Sequence, residues 1–219
     1  MTSANSIADR LLRLQAELPS HVTLVAVSKT KPVNMLQEAL DAGQLDLGEN
    51  RVQELDDKAQ HFSSQPVRWH HIGHLQTNKV KQVIPHAHLI HAVDSDRLLH
   101  EIDKRSANVG LETHVLLQLH IAQEEQKHGM TEGQLDALLN ACIRSTLAHV
   151  RIEGLMGMAT FTDDEVQIGR EFRHLRTCFD KFNPGDWTTC SMGMSGDWRI
   201  AVDEGSTLVR VGSAIFGSR

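Results

Sequence analysis

The chain has 219 residues, 40% hydrophobic and 23% charged, with 15 Gly, 5 Pro and no low-complexity tract, which is enough to bury a core as one globular domain over residues 1–219. Its aromatic residues are 3 Trp and 6 Phe, with 0 Tyr beside 14 His, so chemistry that needs a phenol from this chain is excluded. Lys and Arg number 22 against 28 Asp and Glu, and the formal charge of -6 argues against binding a nucleic-acid backbone or an anionic membrane surface.

The first ten residues lack a basic stretch followed by an apolar one, so they do not read as a secretion signal. Ile7, Leu11, Leu12, Leu14 and Leu18 then share one helix face. After them, short apolar runs alternate with longer helical patterns to the end of the chain. The runs predict strands at Val22–Val27, Leu45–Leu47, Val67–Ile72, Leu89–Val93, His114–Leu119, Ile152–Met158, Trp187–Ser191 and Leu208–Val211. Between them, Val33–Leu40, Arg97–Ser106, Gln134–Thr146 and Val166–Phe182 are long enough for the helical crossovers that parallel strands require. No apolar run approaches the roughly 20 residues that span a bilayer. Cys142, Cys178 and Cys190 contain no CxxC pair and their odd number cannot all be joined internally, which fits a soluble protein of a reducing cytoplasm.

Successive β/α units without a linker predict a closed (β/α)8 TIM barrel. The rival is an open doubly wound sheet. That fold is expected to carry a Gly-rich phosphate loop after its first strand, whereas this strand ends in Ser28-Lys29-Thr30-Lys31-Pro32, and neither GxGxxG nor GxxxxGK[ST] occurs.

Active sites of such barrels lie at the carboxyl ends of the strands. Those ends supply Lys29, Gly48-Glu49-Asn50, His71 to His74, Asp94, Met158-Ala159, Ser191 to Ser195 and Arg210 to Ser213. One lysine, one arginine and several Ser/Gly turns, with no carboxylate pair, suit an anionic ligand bearing an aldehyde better than acid/base hydrolysis. Lys29 follows an apolar strand, and a barrel would bury its stem and partly desolvate its ammonium, favouring the nucleophilic amine. Lys31 would repel it if the chain stays extended. The same segment also fits two solvent-exposed lysines ahead of a helix with Pro32 in its first turn. Ser191-Met192-Gly193-Met194-Ser195 precedes a helical stretch near Asp197, and Gly212-Ser213 follows Arg210; these are the loops that hold phosphate in many barrels, although Gly and Ser also serve simple turns. The histidines of Trp69-His70-His71, His74 and His86-Ala87-His88-Leu89-Ile90-His91 invite a metal reading. There is no HExxH motif, and His86 and His88 fall before their predicted strand, so no metal site is expected and most histidines read as surface or packing residues. Asp163-Asp164-Glu165 reads as a helix N-terminus.

Taken together, these segments resemble the pyridoxal phosphate (PLP) homeostasis proteins, a family of PLP-binding proteins. The resemblance rests on Ala26 to Pro32, Gly48-Glu49-Asn50 with Val52-Gln53-Glu54, Trp69 to Lys79, Gly154-Leu155-Met156, Ser191 to Ser195 with Asp197, and Gly205 to Gly212, in the family's order from about Ser28 to Gly217. It implies a fold-type III barrel like the N-terminal domain of alanine racemase, with PLP as a Schiff base on Lys29. It further implies a cofactor site built from Asn50, Ser191, Gly193, Met194, Ser195, Gly212 and Ser213, with Arg210 beside the pyridine nitrogen. Two positions depart from the family: Arg51 stands where an aromatic residue is common, and Gly157 where a larger residue is frequent.

The resemblance implies a cytoplasmic monomer that buffers PLP or hands it to PLP-dependent apoenzymes, with indirect effects on amino-acid and keto-acid balance. The alternative from a different class is a PLP-dependent amino-acid racemase. Racemisation needs a proton donor on each face of the cofactor adduct, and a chain without Tyr lacks the usual second one.

Overall fold

The computed structural model describes residues 6–124, 128–144 and 147–217. In chain order the elements are α1 (Ile7–Glu17), β1 (Thr23–Val27), α2 (Val33–Asp41), β2 (Asp46–Glu49), α3 (Val52–His61), β3 (Arg68–His71), α4 (Val80–Val83), β4 (Ala87–Val93), α5 (Asp96–Val109), β5 (Thr113–Gln118), α6 (Glu132–Arg144), β6 (Val150–Met156), α7 (Glu165–Phe182), β7 (Thr189–Ser191), α8 (Trp198–Asp203), β8 (Leu208–Val211) and α9 (Ser213–Phe216). The strands pair in parallel and in sequence order, and β1 closes onto β8 through Thr23↔Leu208 to Ala26↔Val211. Among the described residues no helix is long and apolar enough to cross a membrane.

Local chemistry sets the helix ends. Ser6 and Asp9 form a capping box at the start of α1, and Asp164 caps α7 by accepting from the Gln167 N–H, as the acidic run there suggests. Most strands carry apolar residues on both faces because each packs outward against helices and inward into the barrel, whereas β2 and β3 bury Asp46, Glu49, His70 and His71. Leu24, Ala26, Leu47, Trp69, Val209 and Val211 belong to one layer packed against helices, while Val25, Leu89, Leu116, Met156 and Leu208 form a separate inner cluster. That alternation aims residues 25, 27 and 29 inward and leads Lys29 to the barrel mouth.

The strand boundaries shift by a few residues from the sequence expectation. β2 extends to Glu49 because this buried carboxylate is bonded by Lys58 and Ser28. β4 begins at Ala87, so His88 lies within the strand instead of before it, and β6 ends at Met156, leaving Met158 to line a cavity. The expected end of the Gln134–Thr146 helix falls partly on Ser145 and Thr146, outside the described residues, as do Met1 to Asn5.

The β7/β8 seam has the single recorded pair Ser191↔Leu208, and side chains reinforce it. Ser206 Oγ donates to the Met192 carbonyl at 2.7 Å, Thr207 Oγ1 to that of Thr188 at 3.0 Å, and the Cys190 N–H to Thr207 Oγ1 at 2.9 Å. The Ser-Thr pair before β8 thereby fixes the loop that follows β7.

Candidate functional site

A cavity of about 510 Å³ opens at the carboxyl ends of the strands. Lys29, Asn50, Met194, Ser195, Arg210, Gly212 and Ser213 all line it, so most of the residues singled out from the sequence converge on one place. Ser191 and Gly193 are not among the lining residues; both are buried behind the cavity.

Lys29 is exposed at the mouth, which corrects the expectation of a desolvated stem. The chain does not stay extended beyond it either. Thr30 adopts φ 64°, a left-handed conformation costly for a β-branched residue, and its N–H donates to Glu54 Oε2 at 2.7 Å. Lys31 turns away, its ammonium donating to the Phe216 and Gly217 carbonyls at 3.3 and 3.0 Å. Lys58 secures the other side of Lys29, donating to the Ser28 carbonyl at 2.9 Å and to Glu49 Oε1 at 2.7 Å. Burial works to raise the carboxyl of Glu54, but the Thr30 N–H and Lys58 hold it below its ordinary value. Glu49, more deeply buried, is pushed up by desolvation despite Lys58 and Ser28.

The two Ser/Gly turns interlock. Gly193 has φ 98°, and a Cβ there would come within 2.7 Å of Ala201 Cβ and 3.0 Å of Trp198 Cα, so only glycine lets the turn lie on α8. Its carbonyl accepts the Arg210 N–H at 2.9 Å, and Ser195 Oγ accepts the Gly212 N–H at 3.1 Å. Asp197 closes the first turn by accepting from the Met194 N–H at 2.5 Å. Among the described residues, the N–H groups of Ser195, Gly196, Ser213 and Ala214 donate to no recorded protein acceptor. Such a group of unpaired donors beside serine hydroxyls is a ready cradle for an anion.

Arg210 is buried and anchored, donating through Nη1 to the Ser191 carbonyl at 3.0 Å and to Ser191 Oγ, and through Nη2 to the Gly157 carbonyl at 3.1 Å. Burial lowers its pKa to about 10, which leaves it cationic at neutral pH. Ser191 continues inward to His91 Nδ1 at 3.3 Å, His91 Nε2 meets His70 Nδ1 at 2.9 Å, and His70 Nε2 meets Asp46 Oδ1 at 3.0 Å. Arg can only donate and carboxylate can only accept, so the two ends set the direction of every bond and the tautomer of both rings. Treating the histidines as packing residues misses this chain, because partners across a barrel are not neighbours in sequence.

The sequence also points to a mouth without a carboxylate pair, yet Asp163 and Asp197 both line the cavity. They come from loops beyond the strand ends. The β6–α7 loop contributes Thr160, Phe161 and Thr162 as well. Glu171 on α7 ties that loop down, accepting from the Thr160 N–H at 2.6 Å and from Thr160 Oγ1 at 2.8 Å, while Phe161 stands 97% exposed at the rim. Of the two departures noted in the sequence, Arg51 is exposed at the start of α3, and Gly157 offers its carbonyl to Arg210.

A family model described as the alanine racemase N-terminal domain matches residues 3–219. The chain is 39% identical over 212 residues to the pyridoxal phosphate homeostasis protein of Escherichia coli K12, covering 92% of this chain and 87% of that protein. It is 38% identical over 208 residues to the protein of the same name from Vibrio alginolyticus, with 92% and 88% covered. Among solved structures it is similar to PipY of Synechococcus elongatus without PLP, with TM-score 0.91, 36% identity and 97% and 100% of the two chains covered. The same protein solved with PLP bound gives TM-score 0.89 at 36% identity. An alanine racemase of Clostridium difficile shares the fold at TM-score 0.80 and 13% identity, covering 98% of this chain and 57% of that one.

Proposed function

Because the chain belongs to the pyridoxal phosphate homeostasis protein family, we propose that it holds PLP as a Schiff base on Lys29, as a cytoplasmic monomer that buffers the cofactor or delivers it to apoenzymes. The observation that carries this reading is that one cavity joins an accessible lysine amine, two turns of unpaired N–H donors and an anchored arginine. When bound, the cofactor supplies an aldehyde for the amine, a phosphate and an electron-poor ring. The donor set suits each part. The Ser195-Gly196 and Ser213-Ala214 N–H groups, with the serine hydroxyls, would hold the phosphate, and Asn50 lines the same cavity.

Arg210 supports a carrier over a catalyst. Its guanidinium keeps its proton, so beside the ring nitrogen it opposes protonation there and weakens the ring as an electron sink. Ser191 and Gly157 fix its position rather than leaving it to adapt. The chain also has 0 Tyr, so it cannot supply a tyrosine as a proton donor on the second face.

The visible absorbance of purified protein loaded with PLP tests the site. Lys29→Ala is expected to abolish both that band and the adduct trapped by borohydride. Trapping at another lysine in that variant would overturn the assignment. Loss of the α-proton from amino acids in deuterated water separates carrier from enzyme: exchange at enzyme-like rates would refute the carrier reading.

A further inference from the structure

We propose that His74, Asp94 and His128 form a binding site for a divalent transition-metal ion such as Zn²⁺, at the barrel rim and outside the PLP cavity. The three residues follow β3, β4 and β5, so neighbouring strand ends bring together side chains far apart in sequence. Their ligand atoms lie within 4.8 Å of one another. His74 Nδ1 is 3.2 Å from Asp94 Oδ2, and His128 Nδ1 is 4.0 Å from the same oxygen. The two rings stack at 4.2 Å between centroids with 12° between planes, presenting both Nδ1 atoms to one carboxylate.

A hydrogen bond explains the His74–Asp94 contact but not His128, which at 4.0 Å is too far to share the carboxylate that way. A tetrahedral ion at metal–ligand distances of about 2.0–2.1 Å separates its ligand atoms by roughly 3.3–3.5 Å and lies in the plane of each imidazole it binds, so one ring must rotate out of the near-parallel stack for both Nδ1 atoms to meet the ion. Two imidazoles and one carboxylate oxygen suit Zn²⁺, Co²⁺ or Ni²⁺, whereas Ca²⁺ and Mg²⁺ prefer oxygen alone. Three protein ligands leave a fourth position for water or an added ligand.

The supports of these side chains are built in. Ser95 Oγ donates to Asp94 Oδ1 at 3.4 Å, leaving Oδ2 for the histidines, and the Asp94 carboxylate is only 15% exposed. Gln118, buried on β5, donates to the His128 carbonyl at 2.9 Å. The turn before His74 is pressed onto Asn50, since a Cβ on Gly73 would meet the Asn50 carbonyl oxygen at 2.3 Å. An ion here would therefore tie three loops together beside a residue that lines the PLP cavity. The other cluster of suitable residues, Glu132, His174 and Cys178, is a poorer candidate: burial pushes the Cys178 thiol up to about 11, and Glu132 is already paired with Lys181 at 2.6 Å.

Titration calorimetry with Zn²⁺ on chelator-treated full-length protein, together with the visible bands of added Co²⁺, tests the site. One ion per chain is expected. His74→Ala, Asp94→Asn and His128→Ala should each weaken it at least tenfold, while far-UV circular dichroism and the unfolding midpoint stay at the parental values. His128→Ala should retain the absorbance of bound PLP, which separates this site from the cofactor reading. Several weak equivalents insensitive to these substitutions, or a loss that follows Cys178→Ser instead, would overturn the proposal.

Discussion

His70 and His71 are adjacent on β3 and both buried, at 2% and 0% exposure, yet the strand pleat sends them into two very different regions. His70 points into the barrel, where both ring nitrogens are bonded and the chain from Asp46 to Arg210 has every link filled. His71 takes the opposite face beside Glu49, its paired neighbour on β2, and neither of its nitrogens has a partner among the described residues; nor does Glu49 Oε2. Burial is equal and bonding is not. The inner region uses its polar atoms to fix the arginine at the cavity of the barrel mouth, whereas the outer one carries an uncompensated desolvation cost. The protonation behaviour agrees: burial, with a smaller push from His74, drives His71 down to about 4.

The largest effect should come from cutting the inner chain. His91→Leu leaves His70 Nδ1 buried without a partner and takes from the Ser191 hydroxyl its acceptor, while Arg210 still donates to that oxygen, and is expected to cost about 2–5 kcal/mol in urea unfolding. A change below about 0.5 kcal/mol would show that the filled chain is no better than the unfilled side. His71→Leu should do the reverse, adding about 1–2 kcal/mol, because it removes two unsatisfied polar atoms at similar volume. Acid separates the two regions further. Between His71's folded value of about 4 and the ordinary 6.5, the unfolded chain binds a proton that the folded one refuses. Stability therefore holds above pH 6.5, falls as pH drops, and has lost on the order of 3 kcal/mol from this residue by pH 4. The leucine variant should show a flatter profile over that window; an unchanged slope would assign the loss to other groups.

The barrel was legible in the sequence because most strands are short apolar runs and the stretches between them are long enough for helical crossovers. Lys29, Arg210 and the two Ser/Gly turns were legible because a parallel barrel puts its strand ends at one mouth. The contrast between His70 and His71 was not. Two adjacent histidines look alike until strand pairing assigns their faces, and the partners of His70 come from positions 46 and 91 across the closed sheet. Asp163 and Asp197 escaped for another reason: they enter the cavity from loops, whose paths no apolar period records. The exposure of Lys29 turns on the left-handed Thr30, a conformation that the residue type itself disfavours and that Glu54, 24 positions away, holds in place.

The smallest effect is expected at the outer end of the inner chain. Arg68 donates through Nε to Asp46 Oδ1 at 2.7 Å and through Nη2 to Oδ2 at 2.5 Å, but its side chain is 45% exposed. Burial raises the Asp46 carboxyl while Arg68 and His70 lower it more, to about 2. Because that is below the ordinary 3.8, Asp46 contributes stability that is present above pH 4 and lost as pH falls toward 2. Arg68→Ala removes one contributor and leaves the His70 bond, so at neutral pH it should cost only about 0.5–1 kcal/mol, less in high salt, and should move the acid loss to higher pH. A salt-independent cost above about 2 kcal/mol would mean that solvent does not screen this end, and the ordered interior would then reach the amino-terminal face of the barrel.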